Sequence, residues 1–133
     1  MQTETLEKIE TLEKIEIAPE LLEQINSQEE KQVIVHANAK GIPNLHSIRV
    51  WPTIFLFPKE TSVKCKLIQH YNIVLYPKWQ LIGPTGQHHF TLIFEGLPSD
   101  CENFDIKEII PETGAFQALN IKRNNSDVYH VNF

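Results

Sequence analysis

The spacing of apolar positions changes near residue 32 of the chain. Before that point apolar side chains recur every three or four residues, as at Leu6, Ile9 and Leu12. After it apolar and polar residues alternate, which is the period of a β-strand with one buried face. The change predicts a partly helical arm over residues 1–31, followed by one β domain over residues 32–133.

The β region divides into short strands separated by turn-forming residues. Val33 and Val35 start the first strand, which is expected to end in the loop 38–44, a segment that contains Gly, Pro and Asn. Pro52 interrupts the apolar run 48–57. Because proline cannot donate to a strand ladder, it marks an edge, a bulge or a switch between sheets.

The densest alternation lies further along the chain, where Phe90, Leu92 and Phe94 face the same side of one strand. We expect these three residues to form the main core, and Cys65 to lie on an inward face together with Val63. Two or three more strands are expected around residues 104–110, 115–123 and 127–133. Seven or eight short strands at this spacing predict an all-β fold, an antiparallel β-sandwich of the immunoglobulin-like type.

The arm contains a perfect tandem repeat, TLEKIE at residues 5–10 and again at residues 11–16. Glu–Lys pairs four residues apart favour a helix there. Its apolar residues recur every three positions, so the stripe drifts around a helix and does not form a coiled-coil seam. A duplication in a tolerant terminus is favoured over a dedicated partner helix, which stays as the alternative.

Charge is divided unevenly between the arm and the β domain. Residues 1–32 hold nine Glu against three Lys, and the rest of the chain holds eight acidic and nine basic residues. A nearly neutral domain beside an acidic arm argues against a nucleic-acid partner, because binding to phosphates requires a concentrated basic surface. No apolar run reaches the roughly 20 residues that span a bilayer, and the acidic N-terminus does not resemble a secretory signal. We therefore expect a cytoplasmic protein with no membrane partner.

Four segments carry a resemblance to known proteins: RVWPTIFL at 49–56, NIVLYPKW at 72–79, FTLIFEGLP at 90–98 and RNNSDVY at 123–129. Together they resemble a group of small, functionally uncharacterised bacterial proteins common among Bacteroidetes. The third segment is also similar to stretches of bacterial immunoglobulin-like domains. The resemblance implies a sandwich fold and implies no activity or catalytic residue.

The polar residues do not form a recognised catalytic or metal-binding motif. His88 and His89 are adjacent and should point to opposite faces of a strand, so neither a metal ion nor another cofactor is expected. Cys65 is interpreted as a small core residue, and Cys101 lies in an acidic loop that opposes a reactive thiolate. Four carboxylates around the loop after the central strand are candidates for a hydrolase site, although acidic residues there are commonly turn formers: Glu95, Asp100, Glu102 and Asp105.

Aromatic side chains give the remaining functional signal. Trp51, Tyr76 and Trp79, near Phe55 and Phe57, are candidates for a partner-binding surface if they stay exposed, and core packing is the alternative. We therefore predict a non-enzymatic binding or assembly module of the bacterial cytoplasm, with a protein partner or a second copy of the chain. The alternatives are a small hydrolase with a carboxylate or His site, and a binder of carbohydrates or small ligands through exposed aromatics.

Overall fold

A computed structural model describes residues 32–40 and 46–133 of the chain. The predicted helical arm, with its tandem repeat, and most of the predicted loop 38–44 lie outside the described residues. Within the described ranges the secondary structure consists of strands: β1 Val33–Ala39, β2 Ser47–Ile48, β3 Ile54–Pro58, β4 Cys65–Tyr71, β5 Gln80–Leu81, β6 His88–Phe94, β7 Asn103–Glu108, β8 Gln117–Lys122 and β9 Val128–Asn132.

Seven of these strands form one sheet in the order β8-β7-β3-β4-β6-β1-β9, and β2 pairs with β5 in a small second sheet. Neighbours in the large sheet are antiparallel except β1 and β9, which run parallel. The edge strands β8 and β9 are consecutive in the chain and are joined by residues 123–127 alone. That link spans at most about 20 Å, whereas a flat sheet of seven strands is about 29 Å wide. The sheet therefore curls until it is nearly barrel-like.

The core fills the inside of this curl. Phe90, Leu92 and Phe94 are 3%, 0% and 0% exposed, which confirms them as core residues. Cys65 is also buried, but the prediction that Val63 lies beside it is wrong, because Val63 is 48% exposed. Val63 precedes the first residue of β4, so the strand alternation does not apply to it.

Pro52 marks a switch between sheets, one of its three predicted roles. The residues before it supply β2 of the small sheet, and the residues after it supply β3 of the large one. The three strands predicted nearest the C-terminus are confirmed as β7, β8 and β9. The all-β, mostly antiparallel fold is thus confirmed, whereas an immunoglobulin-like sandwich is not, since the seven strands follow one another in a single curled sheet.

Candidate functional site

The three predicted aromatics meet around one arginine. The rings of Trp51 and Tyr76 stack with their centroids 3.7 Å apart. The guanidinium carbon of Arg49 lies 4.6 Å from the Tyr76 centroid and 3.8 Å from the Trp79 centroid. We call these four residues the aromatic cluster. Phe55 and Phe57 lie elsewhere, on β3, where Lys64 and Lys107 cover their rings.

A parallel bridge between two segments builds the cluster. Val50 pairs with Leu75, and the bridge is fixed by the Val50 N–H donating to Val74 O and the Tyr76 N–H donating to Val50 O. Val50 is fully buried. Because side chains alternate along extended backbone, Arg49 and Trp51 point away from the core and so meet Tyr76.

The cluster is exposed at one end and held in place at the other. Trp79 is 59% and Tyr76 is 41% exposed. The Arg49 side chain is only 12% exposed; it donates to Pro77 O at 3.2 Å and forms an ion pair with Glu112 at 3.4 Å. The Glu112 side chain is 53% exposed, so this ion pair is solvated and weak. The structure thus presents two rigid aromatic rings beside a cation whose partner is readily replaced.

A mostly apolar cleft of about 430 Å³ adjoins the cluster. Arg49, Trp51 and Trp79 form one side of it. Phe116 and Phe133, which stack on each other with centroids 4.9 Å apart, belong to its apolar lining. The aromatic cluster and the cleft therefore make one continuous surface that is mostly apolar on the side of the cleft.

Glu108 connects the two sides of this cleft. Its carboxylate accepts hydrogen bonds from the Trp51 N–H at 2.8 Å and from the Phe116 N–H at 3.0 Å. Desolvation by burial is the largest influence and raises the pKa of Glu108 above its ordinary value, although the two N–H donors oppose it. Two backbone hydrogen bonds give this carboxylate a structural role at the base of the candidate site.

Two of the four carboxylates considered for a hydrolase site have separate partners, whereas the other two, Asp100 and Glu102, line a separate small pocket. Asp105 is buried and pairs with Lys59 at 3.1 Å; desolvation acts to raise its pKa, but the Asn120 N–H and the two neighbouring lysines outweigh it and lower the pKa. Glu95 accepts the Lys66 N–H at 2.9 Å. These contacts explain both carboxylates as structural groups and supply no acid–base pair for a hydrolase.

The cysteines have the character expected of unreactive thiols. Burial, followed by the charge of Glu95, raises the pKa of Cys65 to about 11, and its Sγ donates to Gly96 O. The pKa of Cys101 is also raised, with desolvation as the main cause and Arg123 opposing it. The sequence indicated that the pKa of the Cys101 thiol is raised. The acidic neighbours on which that prediction was based contribute less to the shift than burial does.

Histidines gather on a different surface, the outer face of β1, β6 and β9. His36 and His130 face each other with ring centroids 5.1 Å apart. The Nδ1 atom of His36 and the Thr91 hydroxyl are 2.9 Å apart and share a hydrogen bond. Across residues 32–40 and 46–133 no group of three or more His, Cys, Asp or Glu residues has the geometry of a metal site.

Sequence reasoning missed Arg49, Glu108 and the His36–His130 pair. Arg49 had a detectable signal, because it lies two residues from Trp51 and therefore on the same side of an extended segment. For Glu108 the sequence contains no signal beyond the position of this residue at the end of a strand. The two histidines are far apart in the chain, and only the strand pairing brings them together.

Comparisons with protein-family models, with curated proteins and with solved structures find no match to this chain. The resemblance to the Bacteroidetes group and to bacterial immunoglobulin-like domains stays a prediction. In the part of the chain that the structure describes, no helix has the length and apolar character needed to cross a membrane.

Proposed function

We propose that the protein is a non-enzymatic binding module whose partner docks on the aromatic cluster and the adjoining cleft. One observation carries the proposal: Trp51, Tyr76 and Trp79 converge on Arg49 and remain accessible beside an apolar cleft. Trp, Tyr and Arg are the residue types that dominate binding energy at protein interfaces.

The cluster is also preorganised for binding. Stacking and the Arg49 contacts hold the side chains before a partner arrives, which reduces the entropy lost on association. An aromatic pair contributes about 0.5–1.5 kcal/mol beyond area burial, and a cation over an aromatic ring about 0.5–2 kcal/mol. The arrangement therefore favours a specific partner over nonspecific apolar contact.

The charges indicate the chemistry of that partner. Among the residues that the structure describes, Arg49 forms an ion pair with the solvated carboxylate of Glu112, so a partner carboxylate that approaches Arg49 can take the place of Glu112. The cleft beside it accepts an apolar side chain. A protein segment that carries a carboxylate next to an apolar residue fits both features.

Binding of carbohydrate is the second candidate, because Trp79 is 59% exposed and flat aromatic rings stack on sugars. The proposed hydrolase has less support, since two of the four carboxylates considered for it, Glu95 and Asp105, are engaged in backbone hydrogen bonds or ion pairs. The same proposal includes the case in which the partner is a second copy of the chain. Measuring the oligomeric state distinguishes that case from binding of a different protein.

Tryptophan fluorescence provides a direct test, because the chain contains two tryptophans and both lie in the cluster. The full-length protein would be titrated with short peptides that end in an apolar residue with a free carboxylate, with the same peptides amidated, and with soluble oligosaccharides. We expect a saturable change with the free acids, at least tenfold weaker binding of the amides, and loss of binding in Arg49→Gln. Tyr71→Ala, which removes an exposed ring elsewhere, is the matched control.

The contrary outcomes are distinct. A response to oligosaccharides alone would replace the protein partner with carbohydrate. Sedimentation of an oligomer that Trp79→Ala converts to monomer would identify the partner as a second copy. Absence of any spectral response, with a monomer at all concentrations, would remove this surface from consideration as the binding site.

We further propose that the two halves of the curled sheet, β8-β7-β3 and β4-β6-β1-β9, pack on each other like the two sheets of an immunoglobulin-like sandwich. This proposal is in line with the resemblance noted above. Support comes from the junction between the halves, where β3 and β4 are joined by only two residue pairs, Phe55 with Lys66 and Leu56 with Cys65. A bacterial cytoplasmic setting is part of the same proposal, and the two free thiols, Cys65 and Cys101, are compatible with it.

A further inference from the structure

The outer face of β6, β1 and β9 carries polar side chains in two rows. Strand register places Thr91, His36 and His130 side by side in the first row. The second row contains His89, Asn38 and Asn132. Because side chains alternate along each strand, both rows lie on the face opposite Val35, Ala37 and the core. The rows line a shallow depression of about 520 Å³.

His36 and His130 are two potential metal ligands that lie side by side on this face. They are direct neighbours on adjacent parallel strands, their rings are tilted by 30°, and both residues are exposed. Two imidazoles that bind one ion with bonds of about 2.0–2.1 Å place their nitrogens about 3 Å apart. Ring centroids 5.1 Å apart reach that spacing when the His130 ring rotates so that one of its nitrogens turns toward His36.

Thr91 orients the first of these ligands. When the Nδ1–H of His36 donates to the Thr91 hydroxyl, the Nε2 atom keeps its lone pair and is the free ligand atom. Histidines that bind metals commonly donate their other ring N–H to such a partner, which fixes the tautomer and the ring orientation. Two exposed rings can stack on each other without such a hydrogen bond. The hydrogen bond between His36 and Thr91 is therefore a feature typical of a metal ligand.

We propose that His36 and His130 form a cross-strand site for a divalent transition-metal ion such as Zn²⁺ or Ni²⁺. Imidazole nitrogen favours these ions, whereas Mg²⁺ and Ca²⁺ require oxygen ligands that this pair does not provide. Two protein ligands leave the other coordination positions to water. Binding also links edge strand β9 to β1, so the ion stabilises the folded chain.

Calorimetric titration of the full-length protein with ZnCl₂ and NiCl₂, with MgCl₂ as the comparison, tests the site. We expect saturable binding of one Zn²⁺ or Ni²⁺ ion per chain, no binding of Mg²⁺, and at least tenfold weaker binding in His36→Ala and in His130→Ala. Thr91→Val should weaken binding by about 10-fold while leaving both ligands in place. His46→Ala removes an exposed histidine outside both rows and should bind as the wild type does.

A second readout separates loss of a ligand from loss of the fold. Melting temperature without metal should be similar in all four variants, and added Ni²⁺ should raise it in the wild type and in His46→Ala but not in His36→Ala or His130→Ala. The proposal is overturned if His36→Ala and His130→Ala bind as tightly as the wild type, or if His46→Ala loses as much affinity as they do.

Discussion

Replacing Glu108 tests how the candidate site is built. Glu108→Ala removes the acceptor of the Trp51 N–H and of the Phe116 N–H in one step. Glu112→Ala is a matched control, because Glu112 lines the same cleft, undergoes the same chemical change and makes one exposed ion pair with Arg49.

The magnitude follows from what each variant leaves without a partner. A buried N–H that loses its acceptor costs about 1–3 kcal/mol. Trp51 and Phe116 are only half-buried, so water can reach them in part and the lower half of that range applies to each. We therefore expect Glu108→Ala to lower the free energy of unfolding by about 2–4 kcal/mol in total. An exposed ion pair is worth about 0–1 kcal/mol, which sets the expected cost of Glu112→Ala.

The pH dependence has a definite sign. Desolvation raises the pKa of Glu108 above its ordinary 4.5, which means that the folded state favours the protonated carboxyl. Its stabilising contribution is fully present below the unfolded pKa and is lost as pH rises through the higher folded pKa. Since Glu108→Gln cannot titrate, the stability difference between wild type and this variant should be larger at pH 4 than at pH 7.

Urea unfolding followed by tryptophan emission measures both effects, because Trp51 is one of the bonded residues. Equal losses in Glu108→Ala and Glu112→Ala would show that the two N–H groups do not depend on Glu108. A Glu108→Gln penalty that is larger at pH 7 than at pH 4 would show that the hydrogen bonds outweigh desolvation, and the direction of the pKa shift would then be wrong.

Further predictions concern other parts of the chain. Leu92→Ala should lower the free energy of unfolding by about 2–5 kcal/mol, because Leu92 is fully buried. Leu81→Ala, at a position 82% exposed, should change the free energy of unfolding by less than about 0.5 kcal/mol. Equal losses in the two variants, measured by urea unfolding, would show that the core does not lie around Leu92. Asp105 has a lowered pKa, so its stabilising contribution is present above its unfolded pKa, ordinarily 3.8, and is lost as pH falls through the folded pKa. Asp105→Asn should therefore be destabilising at pH 7 and less so as the pH falls below 3.8, whereas a constant difference would contradict the ion pairs. Deletion of residues 1–16 should leave the melting temperature and the oligomeric state measured by sedimentation unchanged; an oligomer formed only by the full chain would make the repeat an assembly element. Cys65 should resist iodoacetamide at pH 8 in the native protein and react in urea, since its pKa is about 11, and rapid native labelling seen by mass spectrometry would contradict its burial.

Local alternation was enough to predict most of the strands and their inward faces. Phe90, Leu92 and Phe94 alternate with polar or half-exposed neighbours, and strand β6 buries them as that pattern requires. The same rule failed for Val63 because alternation has meaning only inside a strand, and β4 begins after it. Pro52 was informative for a chemical reason, namely that its missing N–H ends one ladder before another begins.

Pairing between strands was not predictable from these patterns. A short turn fixes the register of an antiparallel hairpin, but parallel neighbours need a long connection, and the local sequence does not specify which residues face each other. The sequence therefore indicated the three aromatics of the candidate site without showing that Arg49 lies among them. It indicated six histidines without showing that His36 lies beside His130.

Both proposed sites occur where the described chain pairs in parallel. One is the bridge between Val50 and Leu75, and the other is the pairing of β1 with β9. In each case the inward residues pack in the core, so the outward residues of two distant segments are held at a fixed separation. A parallel pair also brings together side chains that are far apart in the chain, which lets a small domain assemble a site from segments that can vary independently. The aromatic cluster and the histidine pair therefore depend on the same core that Leu92→Ala weakens, whereas Arg49→Gln and His36→Ala remove single outward groups and leave that core intact.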